Sequence, residues 1–154
     1  MNMQSIIKRD KLASLIPHAG LMCLHDAVLK WDKSSVLCLT QSHLSKDNPL
    51  CKYNKLSAVH AIEYGAQAMA VHGGLLAREQ GNILAPGYLA AVRNIELNCE
   101  HLDEIKHDLL TSATQLMAQG GNLIYTFTVY YEDNDSQYTV ASGRATVIQM
   151  SEEA

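Results

Sequence analysis

The sequence of 154 residues has little aromatic content, with one Phe and one Trp, and it lacks any excess of positive charge. Its 12 Lys and Arg residues are outnumbered by 16 Asp and Glu residues, which gives a formal net charge of −4. A protein that binds nucleic-acid phosphates needs a basic face, so we expect no nucleic-acid partner. Because 47% of the residues are hydrophobic, the chain can bury a core, and its length fits a single domain, residues 1–154.

The sequence also lacks a CxxC motif, which argues against a zinc ribbon or a redox pair of thiols. The four cysteines are therefore expected to be reduced core residues of a cytoplasmic protein. They are Cys23, Cys38, Cys51 and Cys99. A basic stretch, residues 8–11, precedes an apolar run that begins like a signal peptide, but Pro17 and Gly20 interrupt that run too early.

Hydrophobic patterning predicts two short elements before the middle of the chain and a set of strands after it. Residues 6–16 are typical of a short helical segment that ends before Pro17. The apolar runs Leu21–Trp31 and Val36–Gln41 predict two strands, and the polar segment Ser42–Lys55 predicts a loop. Four later runs, rich in Val, Ile, Thr and Tyr, predict successive antiparallel strands. These runs are Leu89–Asn98, Leu109–Gln119, Asn122–Tyr131 and Tyr138–Gln149.

The longest uninterrupted pattern, from Ser57 to Glu79, predicts a helix because it is rich in alanine and contains no proline. Ser57 is its expected N-cap. Because glycine weakens a helix, the predicted helix ends either at the pair Gly73-Gly74 or at Glu79. Several polar residues in this segment would be costly in lipid, so a membrane span is excluded. They are His60, Glu63, Gln67, His72 and Arg78.

A helix that is apolar nearly all round has to be buried nearly all round. Six predicted strands cover only part of it, and the remainder needs another layer, most simply a second subunit. The pattern therefore predicts an α+β hot-dog fold, in which one long central helix is wrapped by an antiparallel β-sheet, and it predicts a dimer.

A narrow polar stripe interrupts this apolar helix, since His60, Glu63 and Gln67 stand at i, i+3 and i+7. An apolar pocket raises the pKa of a carboxyl group that faces it, and such a group can act as a general acid. The alternatives are that Glu63 is a structural carboxylate and that His60 is a satisfied core residue. The spacing of His60 and Glu63 also occurs in metal sites, but no further cluster supplies the remaining ligands, so no metal is expected.

Several short motifs together resemble the 3-hydroxyacyl-acyl carrier protein (ACP) dehydratases, and their combination is similar to the predicted dehydratases of aryl-polyene pigment clusters. The acidic helix motif of that family resembles Ile62-Glu63-Tyr64-Gly65-Ala66-Gln67-Ala68-Met69-Ala70. The other motifs are Ile16-Pro17-His18, Leu24-His25-Asp26, Asn48-Pro49-Leu50 and Pro86-Gly87-Tyr88-Leu89.

The resemblance implies a dehydration that needs no cofactor. A neutral histidine takes a proton from the carbon next to the thioester while a carboxylic acid assists the leaving hydroxyl. Backbone N–H groups at the start of the helix hold the thioester oxygen. Glu63 stands where the family has its acid. The resemblance also implies an ACP-bound substrate and an active site at a dimer interface, to which the two subunits contribute different residues.

One departure from the family pattern leaves the base undetermined. Fatty-acid dehydratases carry a histidine in a Gly-His-Phe-Pro segment before the helix, whereas residues 48–56 contain none. The candidate bases beside Glu63 are His18 and His43, followed by His60. His60, Gln67 and Tyr64 are expected to contact the substrate.

Two other functions stay open. The first is a hot-dog thioesterase in which Glu63 activates water. The second is a non-catalytic subunit that completes a dehydratase heterodimer. The expected assembly is accordingly either a homodimer or a heterodimer with a second dehydratase, without a membrane partner.

Overall fold

The computed structural model describes residues 6–16, 22–82 and 87–149, which contain seven strands and two α-helices. The predicted base His18 lies outside these residues. The helices are α1 (Arg9–Ala13) and α2 (Ala61–Glu79). The strands are β1 (Ile7–Lys8), β2 (Ala27–Trp31), β3 (Ser35–Thr40), β4 (Gly87–Leu97), β5 (Leu109–Gln119), β6 (Asn122–Asp133) and β7 (Ser136–Gln149).

All seven strands form one antiparallel sheet in the order β1-β2-β3-β5-β6-β7-β4. Tight turns connect the long C-terminal strands. Gly120 and Gly121 join β5 to β6 with φ angles of 59° and 83°, a left-handed conformation that favours glycine. The predicted succession of four C-terminal strands is confirmed, and β1 is an additional strand that the sequence pattern did not predict.

Strand β2 is shorter than the prediction of Leu21–Trp31, which is wrong for residues 22–26. The amide N–H of Leu24 donates to the side-chain oxygen Oε1 of Gln67 (2.8 Å). Leu24 therefore uses its backbone donor on a side chain of helix α2, whereas the N–H of Asp26 already donates to the carbonyl oxygen of Leu39 in β3 (2.9 Å). The prediction of Val36–Gln41 agrees with β3 to within one residue.

Helix α2 begins after a single turn of 3-10 helix, Ala58–His60, and the hydroxyl of Ser57 accepts a hydrogen bond from the N–H of Val59 (3.3 Å). Ser57 therefore caps the 3-10 turn and not α2 itself, whose N-cap position is occupied by His60 without a side-chain hydrogen bond, so the predicted cap lies one turn before the helix it was expected to start. The helix passes through the glycine pair and ends at Glu79. A Cβ atom added at Gly74 would lie 2.5 Å from the carbonyl oxygen of Leu15, so this glycine lets the N-terminal segment pack closely against the helix.

One face of α2 packs on the sheet and the opposite stripe stays partly open. Residues such as Ala61, Ala68 and Leu75 are buried in the core together with Phe127 of β6. The partly open stripe follows the helical period, and the chain by itself leaves it half-buried. This half-buried stripe consists of Ile62, Glu63, Ala66, Ala70 and Gly73.

Candidate active site

Glu63 lies in the first turn of α2, on the half-buried stripe, and a buried glutamine positions its carboxylate. The amide Nε2 of Gln67 donates to Oε1 of Glu63 (3.1 Å) and to the carbonyl oxygen of Met22 (2.7 Å). Its Oε1 accepts the N–H of Leu24 (2.8 Å). Because both amide hydrogens and the oxygen are used, Gln67 has one orientation, and it presents a donor to the carboxylate.

Two features of the local sequence produce this arrangement. Residues 63 and 67 are four apart, which places their side chains next to each other on a helix. A carboxylate in the first turn also interacts favourably with the positive end of the helix dipole. Glu63 and Gln67 of the predicted polar stripe are therefore adjacent on α2, where Glu63 is half-buried and Gln67 is buried behind it.

Tyr64 lies directly beside Glu63 in the chain but points into the protein, where it is fully buried. Its hydroxyl is 2.8 Å from Oγ of Ser42 and accepts a hydrogen bond from Nδ2 of Asn48 (3.1 Å). Asn48 also accepts the N–H of Leu50 (2.9 Å). The Asn48-Pro49-Leu50 motif thus ties its loop to α2, and a contact of Tyr64 with substrate stays a prediction.

His60 is half-buried at the junction between the 3-10 turn and α2, three residues before Glu63. This position agrees with the predicted stripe. A role for His60 in substrate binding stays a prediction, since a half-buried residue at a helix start is equally placed for a structural role.

His43 is buried in a 3-10 turn, Ser42–Leu44, that precedes the loop. Its Nε2 donates to the carbonyl oxygen of Ile105 (2.9 Å), so Nε2 carries the proton and Nδ1 is free to accept one. Burial lowers the pKa of His43, and the imidazole is neutral near pH 7. A neutral imidazole is the form that a base requires, but its access to substrate stays a prediction.

His25 is a supporting residue that the sequence did not single out. It is fully buried, its Nε2 donates to the carbonyl oxygen of Tyr64 (2.8 Å), and its ring meets the Tyr64 ring edge to face. Burial lowers the pKa of His25 from 6.5 to about 4. The Leu24-His25-Asp26 motif was the available signal, and its histidine supports the backbone of α2 one residue from Glu63.

His72, farther along α2, also forms hydrogen bonds that connect the helix to other parts of the protein. Its Nε2 donates to the carbonyl oxygen of Asp32 (3.0 Å), so its Nδ1 accepts the hydroxyl hydrogen of Tyr125 (2.7 Å). The side chain of Gln115 donates to the same hydroxyl (3.1 Å). Burial lowers the pKa of His72, and this histidine is neutral and structural.

Within residues 6–16, 22–82 and 87–149, no group of three or more His, Cys, Asp or Glu side chains is arranged to hold a metal ion. None of the helices in the same ranges has the length and apolar character of a membrane span. All four cysteines are free thiols.

An antiparallel sheet wrapped around one long helix defines a protein of the hot-dog fold, which similar solved structures share. The chain belongs to the ApeP-like family, described as ApeP dehydratase, whose model matches residues 10–154. The resemblance to hot-dog dehydratases is confirmed. No curated protein matches the chain.

Solved structures similar to this chain share its fold at low sequence identity. A chain of the dehydratase heterocomplex ApeI:P from Xenorhabdus doucetiae is 20% identical, with a TM-score of 0.78, over 92% of this chain and 91% of that chain. Zebra fish thioesterase superfamily member 2 is 18% identical, with a TM-score of 0.59, over 92% and 94%. The E. coli PaaI protein is 12% identical, with a TM-score of 0.56, over 80% and 78%. The predicted hot-dog fold is confirmed.

Proposed function

We propose that this protein takes part in the dehydration of 3-hydroxyacyl-ACP thioesters to 2-enoyl-ACP in a pathway that resembles fatty-acid or aryl-polyene synthesis. The observation that carries the proposal is the Glu63 carboxylate, held by Gln67 on the open stripe of α2. Membership of a dehydratase family supports the reaction type. The free thiols agree with a cytoplasmic location, where disulfides are rare.

In this reaction a base removes the proton from the carbon next to the thioester carbonyl. The electron pair of that C–H bond forms the new double bond, and the bond from the neighbouring carbon to its hydroxyl breaks. Glu63, as a carboxylic acid, protonates the departing oxygen so that it leaves as water. Backbone N–H groups at the start of α2 stabilise the negative charge that develops on the thioester oxygen.

His18 and His43 are the proposed bases, and a histidine of a second subunit is the alternative to both. A substrate contact is proposed for His60, which is half-buried three residues before Glu63. Gln67 is buried, so its proposed contribution to substrate binding would act through the position of Glu63. Tyr64 is buried, so the proposed contribution of Tyr64 to substrate binding would act through the position of α2.

A specific observation favours a second candidate, a subunit that completes a dehydratase heterodimer without a full site of its own. The loop where fatty-acid dehydratases place their histidine contains none here, in residues 48–56. It forms a tight hairpin instead, in which the N–H of Lys52 donates to the carbonyl oxygen of Lys55 (2.8 Å) and the N–H of Lys55 donates to that of Lys52 (3.0 Å). Tyr53 and Asn54 occupy its tip with φ angles of 53° and 60°. A similar solved structure is a dehydratase heterocomplex, which supports the same assembly here.

Product analysis distinguishes these functions. A 3-hydroxyacyl-ACP is incubated with the purified chain, alone and mixed with ApeI from Xenorhabdus doucetiae, and the products are separated by mass spectrometry. Enoyl-ACP from the chain alone supports a complete dehydratase, and enoyl-ACP above the ApeI background only in the mixture supports the heterodimer subunit. Free acid together with unacylated ACP, without enoyl-ACP, would show a thioesterase and overturn the proposal.

A further inference from the structure

Two arginines lie directly opposite each other on neighbouring strands of the sheet. Arg93 pairs with Arg144 in the ladder between β4 and β7, and the next pair is formed by Val92 and Ala145. Ala145 is buried in the core, and successive side chains of a strand point to opposite faces. Both arginines therefore point away from α2, and both are exposed. The arginine pair lies on the outer face of the sheet.

Little negative charge balances this arginine pair. In the ladder on its other side, Arg144 faces the uncharged Thr126 of β6. The nearest carboxylate in the register belongs to Glu96, which stands opposite Ser142. Within residues 6–16, 22–82 and 87–149, neither arginine forms an ion pair with a carboxylate. Like charges directly opposite each other on neighbouring strands are destabilising, so a bound anion would remove an unfavourable interaction.

The spacing of the two strands allows both guanidinium groups to contact one anion. Neighbouring strands lie about 4.8 Å apart, and directly opposite Cβ atoms are about 5 Å apart. Each guanidinium presents a planar fork of N–H donors that forms two parallel hydrogen bonds with an oxyanion. A carboxylate has two oxygens, which one fork already uses, whereas a phosphoryl group has three acceptor oxygens and can serve both forks. The pair therefore favours a phosphoryl group over a carboxylate.

Hydroxyl groups lie next to the arginine pair on the same face of the sheet. Thr126 is opposite Arg144, and Ser142 precedes Arg144 by two residues in β7. Both are half-buried, and a hydroxyl can donate a hydrogen bond to an anion. Any strand that paired with the edge of β4 would use backbone groups, so the outer face would stay open.

We propose that Arg93 and Arg144 form a binding site for a phosphoryl group, which is either inorganic phosphate or a phosphate ester. The anion lies between the two guanidinium groups, and the hydroxyls of Thr126 and Ser142 are the neighbouring donors. The sheet separates this site from Glu63 on α2, so the proposal does not depend on the proposed function. A ligand that binds only the folded chain stabilises it, which gives a readout without turnover.

The test compares anions that differ in shape. The purified chain is titrated at about pH 8, where a phosphate ester carries nearly two negative charges, with inorganic phosphate, methyl phosphate and acetate. Calorimetry gives each Kd at an ionic strength of about 0.1 M, where the Debye length is about 10 Å. At least one of the two phosphates is expected to bind about tenfold more tightly than acetate and to raise the Tm. Tighter binding of methyl phosphate would identify an esterified ligand, and tighter binding of inorganic phosphate a free anion.

Three double variants assign the binding to the arginine pair. Arg93→Gln, Arg144→Gln removes both guanidinium groups and should raise the Kd of the phosphate about tenfold or more. Arg93→Lys, Arg144→Lys keeps the charges but lacks the planar forks, and should raise the Kd about threefold or more. Lys30→Gln, Arg78→Gln removes the same charge at exposed sites away from the pair and should leave the Kd within about twofold. Circular dichroism checks that each variant is folded.

Four results would overturn the proposal. The first is that neither phosphate binds more tightly than acetate. The second is an unchanged Kd in the glutamine variant of the arginine pair, which would place the phosphate elsewhere on the chain. The third is an unchanged Kd in the lysine variant, which would show that charge without fork geometry is sufficient. The fourth is an equal loss of affinity in the control variant, which would reflect net charge alone.

Discussion

Gln67 connects Glu63 to the backbone of the segment before β2, because its Nε2 lies 3.1 Å from Oε1 of Glu63 and 2.7 Å from the carbonyl oxygen of Met22. The carboxylate is thereby positioned by a residue whose own hydrogen bonds are all used. A carboxyl group that is already held in position does not have to be reoriented during the reaction. Gln67 is accordingly a positioning residue, and its proposed contribution to substrate binding acts through Glu63.

Replacing Gln67 by Met keeps the volume of the side chain but removes its three hydrogen bonds. The carbonyl of Met22 and the N–H of Leu24 lose their partner, which should lower the free energy of unfolding by about 1–3 kcal/mol in urea titrations. We also expect kcat to fall about tenfold under conditions where the variant is folded, because Glu63 loses its fixed position. Gln80→Met, at an exposed glutamine after α2, is the control and should change neither quantity. An unchanged kcat for Gln67→Met would exclude the positioning role.

Replacing Tyr64 by Phe separates a structural role from a role in substrate binding. The change removes the hydroxyl that bonds to Ser42 and Asn48, and we expect a loss of about 1–3 kcal/mol in the free energy of unfolding. The KM of the folded variant should stay within twofold of the wild-type value, about 0.4 kcal/mol. A large rise in KM without loss of stability would instead assign Tyr64 to the substrate.

Close packing of α2 on the sheet depends on Gly65. A Cβ atom at this position would lie 2.7 Å from the ring of Phe127, so Gly65→Ala should destabilise the protein by about 1–3 kcal/mol. Calorimetry of the single variant and of the double variant Gly65→Ala, Phe127→Leu measures the effect. The smaller leucine should recover part of the loss in the double variant. Additive destabilisation by the two changes would show that the contact is not the cause.

Stability should fall as the pH is lowered from 7 to 5, because His25 is held neutral in the folded protein. Its pKa is lowered from 6.5 to about 4, so the unfolded chain binds more protons in this range. The expected contribution of His25 is about 2 kcal/mol between the two pH values. The lowered pKa values of His43 and His72 act in the same direction.

The variant His25→Gln should reduce this pH dependence, measured as the change in urea midpoint, because it retains a donor for the carbonyl of Tyr64 but does not titrate. His107→Gln, at a partly exposed histidine, is the matched control. Equal pH dependence in both variants would contradict the assignment to His25.

The helix and the C-terminal strands could be predicted because their patterns are long and local. Periodicity is sufficient to locate α2 and the polar stripe with Glu63. The start of β2 could not be predicted, because Met22 and Leu24 continue the apolar pattern of a strand but bond to Gln67, which is distant in the sequence. The continuation of α2 through Gly74 depends in the same way on close packing against Leu15.

The roles of individual side chains could not be predicted from the sequence and became visible only in the structure. Tyr64 is adjacent to Glu63 in sequence, yet the helical period turns it by about 100° into the core. His25 and His43 have no spacing that reveals their bonds to backbone carbonyls, since these bonds join segments far apart in the chain. The juxtaposition of Arg93 and Arg144 is a consequence of strand register, which the sequence of either strand alone does not determine.

The acid role of Glu63 is tested most directly by the rate of enoyl-ACP formation by Glu63→Gln, compared with the wild-type protein in the assembly that is active. Glutamine keeps the size of the side chain and can still pair with Gln67, but it has no carboxyl group to transfer a proton. We expect kcat to fall about 10²- to 10⁴-fold with little change in stability, whereas Glu79→Gln at the exposed end of α2 should retain full activity. Full activity of folded Glu63→Gln would show that Glu63 is not the acid of the reaction.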